Sequence, residues 1–178
     1  MEDQVILVNE KDEQTGALGK MEAHEKGLLH RAFSVFIFNQ QGEMLLQQRA
    51  LTKYHSAGLW TNSCCSHPRP GESTDQAASR RLSEELGFTT PVRKVFDFMY
   101  RADFENGLIE HEFDHVYVGE FDGMINFNPE EVLSITYKKM PDIESEMIAA
   151  PEQYTRWFQL CFPMIGAWWE KNYKKGIV

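Results

Sequence analysis

Glu110 and Glu112 stand two residues apart in the alternating stretch EHEFDHVYVGEF. Along a strand, side chains two apart share a face, and two carboxylates held side by side repel unless a cation or a proton intervenes. A solvated strand face accommodates the same pair with neither, so the spacing alone leaves both readings open. The segment TNSCCSHPRPGE, residues 61–72, sets Cys65 two residues before His67 amid polar and turn-forming residues, where a reactive thiol can be exposed. Cys64 and Cys65 are equally acceptable as small buried core residues.

The six histidines are His24, His30, His55, His67, His111 and His115. Each, taken singly, is more often a surface or hydrogen-bonded histidine than a metal ligand. Lys20, Arg49, Lys53 and Arg81 are ordinary cations one by one. A diphosphate needs several such donors, and arginine offers it two parallel hydrogen bonds. Arg80 to Glu84 and Arg81 to Glu85 are spaced four apart, which on a solvated helix contributes only about 0.2–0.5 kcal/mol per pair.

The elements that must position these groups are partly readable. Residues 32–39 and 43–50 are strand-like runs joined by a polar turn at 40–42, and they read as a hairpin. Residues 94–104 and 110–121 flank Asn106-Gly107, a strong turn signal, and predict a second antiparallel pair. Between the pairs, Ser73 and Gln76 form a capping box, and Ala77, Leu82 and Leu86 mark the buried side of a helix that Gly87 ends. Arg80, Arg81, Glu84 and Glu85 fall on its other side. Residues 151–175 predict an apolar-faced helix interrupted near Pro163. Strands and helices mix without regular alternation, so the fold class is α+β, a sheet with helices packed on it.

The chain of 178 residues predicts a single domain spanning 1–178, large enough for a real core. Its 42% hydrophobic and 12% aromatic content excludes a disordered chain. The net charge of -9 disfavours nucleic acid and anionic membrane surfaces as partners. No segment reaches the roughly 20 apolar residues of a membrane span, the N-terminus lacks an export signal, and the three cysteines include an adjacent pair. A soluble protein of the reducing cytoplasm is the expectation.

Five pieces together resemble one family: LGKMEAHEKGLLHRAFS at 18–34, QQRALTK at 47–53, LWTNSCCSHP at 59–68, ESTDQAASRRLSEELG at 72–87 and LIEHEF at 108–113. In that order they resemble the type 1 isopentenyl-diphosphate isomerases, which have the Nudix fold: a mixed and antiparallel sheet core with flanking helices. Residues 66–88 resemble a Nudix box that keeps Glu72, Arg80, Glu84, Glu85 and Gly87, with Ser66 in place of glycine and Arg81 in place of a glutamate. That second departure exchanges a magnesium ligand of the family's hydrolases for a cation suited to a diphosphate.

The resemblance implies a site for one divalent ion, Mn2+, Zn2+ or Mg2+, formed by His24, His30, His67, Glu110 and Glu112. It implies a second ion, Mg2+, held by Glu85 and the Cys65 carbonyl against the substrate diphosphate, with Lys20, Arg49, Lys53 and Arg81 as countercharge. It gives Cys65 and Glu112 the paired proton transfers, Glu112 as donor and Cys65 as base, with Tyr100 assisting Glu112. The partner is then a small isoprenoid diphosphate; neither the resemblance nor the residues decide between a monomer and a weak dimer. Some relatives carry a tryptophan after the proline matching Pro151, where this chain has Glu152, so the aromatic facing a carbocation is left open among Tyr154, Trp157 and others. Two further readings share the fold: a hydrolase of nucleoside diphosphate derivatives, and a noncatalytic ligand-binding module.

Overall fold

A computed structural model describes residues 3–173. Its elements are β1 (Gln4–Val8), β2 (Gln14–Gly19), α1 (Lys20–Lys26), β3 (His30–Phe38), β4 (Met44–Arg49), β5 (Trp60–Thr61), β6 (Cys64–Ser66), α2 (Thr74–Leu86), β7 (Val92–Asp103), β8 (Ile109–Glu120), β9 (Val132–Lys138), α3 (Met140–Ala149) and α4 (Arg156–Asn172), with a short 3₁₀ turn at Pro151–Gln153. The strands form one mixed sheet.

β3 is the centre of that sheet, and its alternation sorts the core. Phe33, Val35 and Ile37 face α2, packing with Ala77, Ala78, Leu82 and Leu86. Phe36 and Phe38 face the opposite layer, where Met140 and Ile143 of α3 and Trp157, Phe158, Cys161 and Ile165 of α4 cover them. The sheet is thus covered on both faces, and each buried phenylalanine contributes on the order of 2–3 kcal/mol.

The sequence expectations hold for β7 and β8, which pair antiparallel around the turn that Gly107 closes with φ 81°. They hold for α2, whose Ser73 backbone N–H donates to the Gln76 side chain at 3.2 Å. β3 and β4 differ from the expected hairpin: they meet only at Phe38 and Met44, next to the turn. Beyond it β3 runs parallel to β8 from His30/Glu112 to Phe38/Glu120, and β4 pairs with β9. The strand patterns were readable, but an apolar run does not name its partner. α4 likewise continues through Pro163. That proline is exposed, so the backbone bond it forgoes lies on the solvent side, and the apolar face stays seated. Lys174 and Lys175 of the expected tail helix lie outside the described residues.

Gly87 caps α2 with φ 73°, and a Cβ there would stand 2.3 Å from the Asn126 carbonyl oxygen. Left-handed strain and a backbone clash both oppose a side chain. Gly87→Ala is expected to lower unfolding free energy by about 2 kcal/mol or more, read as a lower urea midpoint at unchanged m-value; an unchanged midpoint contradicts this.

Candidate active site

The register of β8 with its two neighbours builds the site. Glu112 sits opposite His30 on the parallel side and opposite Tyr100 on the antiparallel side. On the far edge of β3, Ser34 sits opposite Cys65 of β6, and His67 follows β6 directly. α1 brings His24, fully buried, over the same spot.

Backbone carbonyls fix two of these imidazoles. His24 Nδ1 donates to the Lys20 carbonyl at 2.7 Å and His30 Nδ1 donates to the Leu28 carbonyl at 2.8 Å, which turns both Nε2 atoms toward the cluster as lone-pair donors. His30 Nε2 lies 3.2 Å from His67 Nε2, which lies 2.9 Å from Glu112 Oε1. His24 Nε2 is buried without a hydrogen-bond partner. Ligand atoms of His24, His30, His67 and Glu112 all fall within 4.8 Å of one another, as do those of His24, His55 and Glu110. A dense group of imidazoles and carboxylates with an orphaned nitrogen fits a divalent cation.

Charge is unevenly shared between the two carboxylates. Burial, then the Glu112 charge, hold Glu110 well above the usual carboxylate range. Burial also works against the Glu112 charge, but the adjacent His30 and His67 imidazoles prevail and hold Glu112 well below the usual carboxylate range. Tyr100 donates to Glu112 Oε2 at 2.6 Å and lies 3.1 Å from Glu110 Oε2, so one phenol spans both carboxylates. Burial pushes the Cys65 thiol up, with Arg49 pulling the other way. Burial lowers His67 to about 3, against its Glu112 hydrogen bond, which leaves the ring neutral.

The other sequence candidates line the same cleft, which holds Lys20, Arg49, Lys53, Arg81, Cys65, Glu85 and Trp157. Lys20 is pulled down by burial and then by Arg81 and Arg49, a crowding of cations that a polyanion relieves. Arg49 stacks over Trp157 at 5.1 Å. Glu85 corrects the helix reading: it is buried at the edge of α2, accepting from Gln47 at 2.9 Å and from Arg81 at 2.6 Å. Glu72 and Glu84 instead bind Arg80 near the helix surface.

Sequence reasoning assigned no role to three neighbours. Glu131 pairs with Lys53 and lies 3.3 Å from Arg81; nothing in its loop signalled this. His55 stands 3.3 Å from Glu110, and the one available signal was its place two residues after Lys53. Asp114, next after Glu112 on the same strand face, accepts from Ser34 at 2.7 Å in full burial.

This chain belongs to the Nudix family: residues 28–158 match the NUDIX domain. Within it, the similar proteins are isopentenyl-diphosphate Delta-isomerases. One from Pectobacterium atrosepticum is 52% identical over 94% of this chain and 93% of its own length. Another, from Burkholderia multivorans, is 49% identical over 93% of this chain and 94% of its own length. Among solved structures, a Deinococcus radiodurans protein superposes with a TM-score of 0.71 at 23% identity, covering 86% of this chain and 93% of its own. A MutT protein from Methanosarcina mazei gives 0.64 at 18% identity, over 78% and 94%. Both structures share the fold alone. No helix among the described residues is long and apolar enough to cross a membrane.

Burial, then the Glu112 charge, push Asp114 up to about 8 from 3.8, with the Ser34 hydrogen bond opposing. Across that window the folded state keeps a proton that the unfolded chain has lost. The stabilisation from this group is therefore complete below about pH 4 and lost as pH rises toward 8. Asp114→Asn should remove a slope of about 1.4 kcal/mol per pH unit over that range in chelator-treated protein. Urea titrations at several pH values check it; parallel wild-type and variant curves contradict it.

Proposed function

We propose that the chain interconverts isopentenyl and dimethylallyl diphosphate, an isomerase step of isoprenoid synthesis, by adding a proton at one end of the alkene and removing one from the neighbouring carbon. The observation that carries this reading is the meeting of Cys65, Glu112 and Tyr100 at one cleft that is also ringed by Lys20, Arg49, Lys53 and Arg81. The relatives at about 50% identity bear the same activity in their names.

The diphosphate is a polyanion, and the four cations match its charge, two of them arginines capable of paired hydrogen bonds. Protonating the terminal carbon of the substrate leaves positive charge on its tertiary carbon. Trp157, which lines the cleft, is the aromatic wall suited to that charge, a contact of roughly 2 kcal/mol when desolvated. We assign the protonation to Glu112 acting with Tyr100 and the deprotonation to Cys65. Among the protein groups alone the thiol is protonated and Glu112 ionised, which is the end of that transfer and the start of the reverse one. The same two groups therefore serve both directions of one reversible reaction.

His24, His30, His67, Glu110 and Glu112 would hold a divalent ion, Mn2+, Zn2+ or Mg2+, whose positive charge offsets the buried carboxylates. Glu85 and the Cys65 carbonyl would hold Mg2+, an oxygen-preferring ion, beside the diphosphate. The hydrolase reading is weakened at Arg81, whose guanidinium occupies the end of α2 by pairing with Glu84 at 2.8 Å and with Glu85.

Cys64 points away from the cleft, into the layer under α2. Proton NMR of isopentenyl diphosphate in D2O with Mg2+ tests the assignment. Wild type and Cys64→Ala should both form dimethylallyl diphosphate with deuterium uptake, while Cys65→Ala should lose at least about 10³-fold in rate, within the range of acid/base contributions. The reverse pattern contradicts the roles of the two cysteines, and no conversion by folded, metal-loaded wild type contradicts the isomerase.

A further inference from the structure

We propose that His55 is a further ligand of the metal centre, giving it four imidazoles and two carboxylates instead of three imidazoles and two carboxylates. The inference rests on the divalent-ion reading above and extends it to a residue that neither the motifs nor the family resemblance assigned.

His55 sits in the loop between β4 and β5, yet it is only 7% exposed. Its ring is locked by three aromatics: it stacks on Phe104 at 4.7 Å and meets Tyr54 at 4.5 Å and Trp157 at 5.8 Å edge to face. Nδ1 lies 3.2 Å from Ser56 Oγ, which occupies the outward nitrogen. Nε2 points inward, buried and without a hydrogen-bond partner, 3.3 Å from Glu110 Oε1. The imidazole of His24, with its own orphaned Nε2, has its ring centre 6.4 Å away.

Two buried nitrogens without hydrogen-bond partners beside one buried carboxylate are a costly arrangement unless something electropositive joins them. Glu110 is the link. The group His24, His55 and Glu110 shares His24 with the group His24, His30, His67 and Glu112. The groups share His24, so an ion held by its Nε2 lies within reach of donors from both. A shell that recruits Glu110 also recruits the nitrogen beside it. Six protein donors of this kind suit six-coordinate first-row ions better than a tetrahedral zinc site. They also leave no open position for water, which suits a pocket that must not quench a carbocation.

Mn2+ alone is the probe. In wild type, electron–nuclear double resonance should show couplings from four imidazole nitrogens. His55→Ala removes the donor, and His55→Phe removes it while keeping the stack on Phe104, so a folded variant is at hand. In either, one nitrogen coupling should vanish and the Kd for Mn2+, measured against a competing chelator, should rise at least tenfold. Unchanged couplings overturn the proposal whether or not the affinity falls, because a fall alone marks His55 as an outer partner of Glu110. Failure of wild type to bind Mn2+ sinks the metal centre itself, an outcome distinct from an ion bound by three imidazoles in all proteins.

Discussion

Two carboxylates buried side by side on one strand face are the constraint around which this protein is arranged. Glu110 and Glu112 are both at most 7% exposed, and such a pair cannot hold two uncompensated charges at tolerable cost. Each neighbouring element supplies part of the compensation. β7 brings the Tyr100 hydroxyl, β3 brings His30, the end of β6 brings His67, and α1 brings His24. The backbone carbonyls of Lys20 and Leu28 then fix which nitrogen each of two imidazoles offers. The result is a concentrated donor set in a molecule whose overall charge is negative, and it is the reason a cation belongs there.

The same face places chemistry next to charge. Cys65 enters through its pairing with Ser34, on the strand between it and Glu112, and the cations of α1, β4, α2 and the loop after β4 line the same cleft. In the proposed reading, the cations would meet the diphosphate head of the substrate, Trp157 its short hydrocarbon tail, and Cys65 and Glu112 its reacting carbons. Alternation along β6 explains why adjacent cysteines have different surroundings, since Cys64 turns under α2 and Cys65 turns to the cleft.

Much of this is legible in the sequence. Strand alternation put Glu110 and Glu112 on one face, Asn106-Gly107 fixed the β7/β8 turn, and Ser73 with Gln76 and Gly87 bounded α2. The partnership of β3 with β8 was not legible, because parallel pairing is set by the whole sheet and leaves no local turn signal. That hidden register is what puts His30 against Glu112. α1, seven residues long, is too short for helical periodicity to reveal, so the meeting of His24 with the cluster rested on family resemblance. His55 and Glu131 lie in loops whose composition looks like ordinary connection. Pro163 misled in the other direction, since an exposed proline can sit in a helix whose opposite face is well packed.

The central claim is that this cluster is a cation site. The most direct test is a crystal structure of the Mn2+-loaded protein, with anomalous scattering recorded at the manganese edge. The account predicts a full anomalous peak enclosed by His24, His30, His67 and Glu112, with Glu110 drawn toward it. Manganese found only elsewhere, with the imidazoles and carboxylates instead bonded to one another, contradicts it.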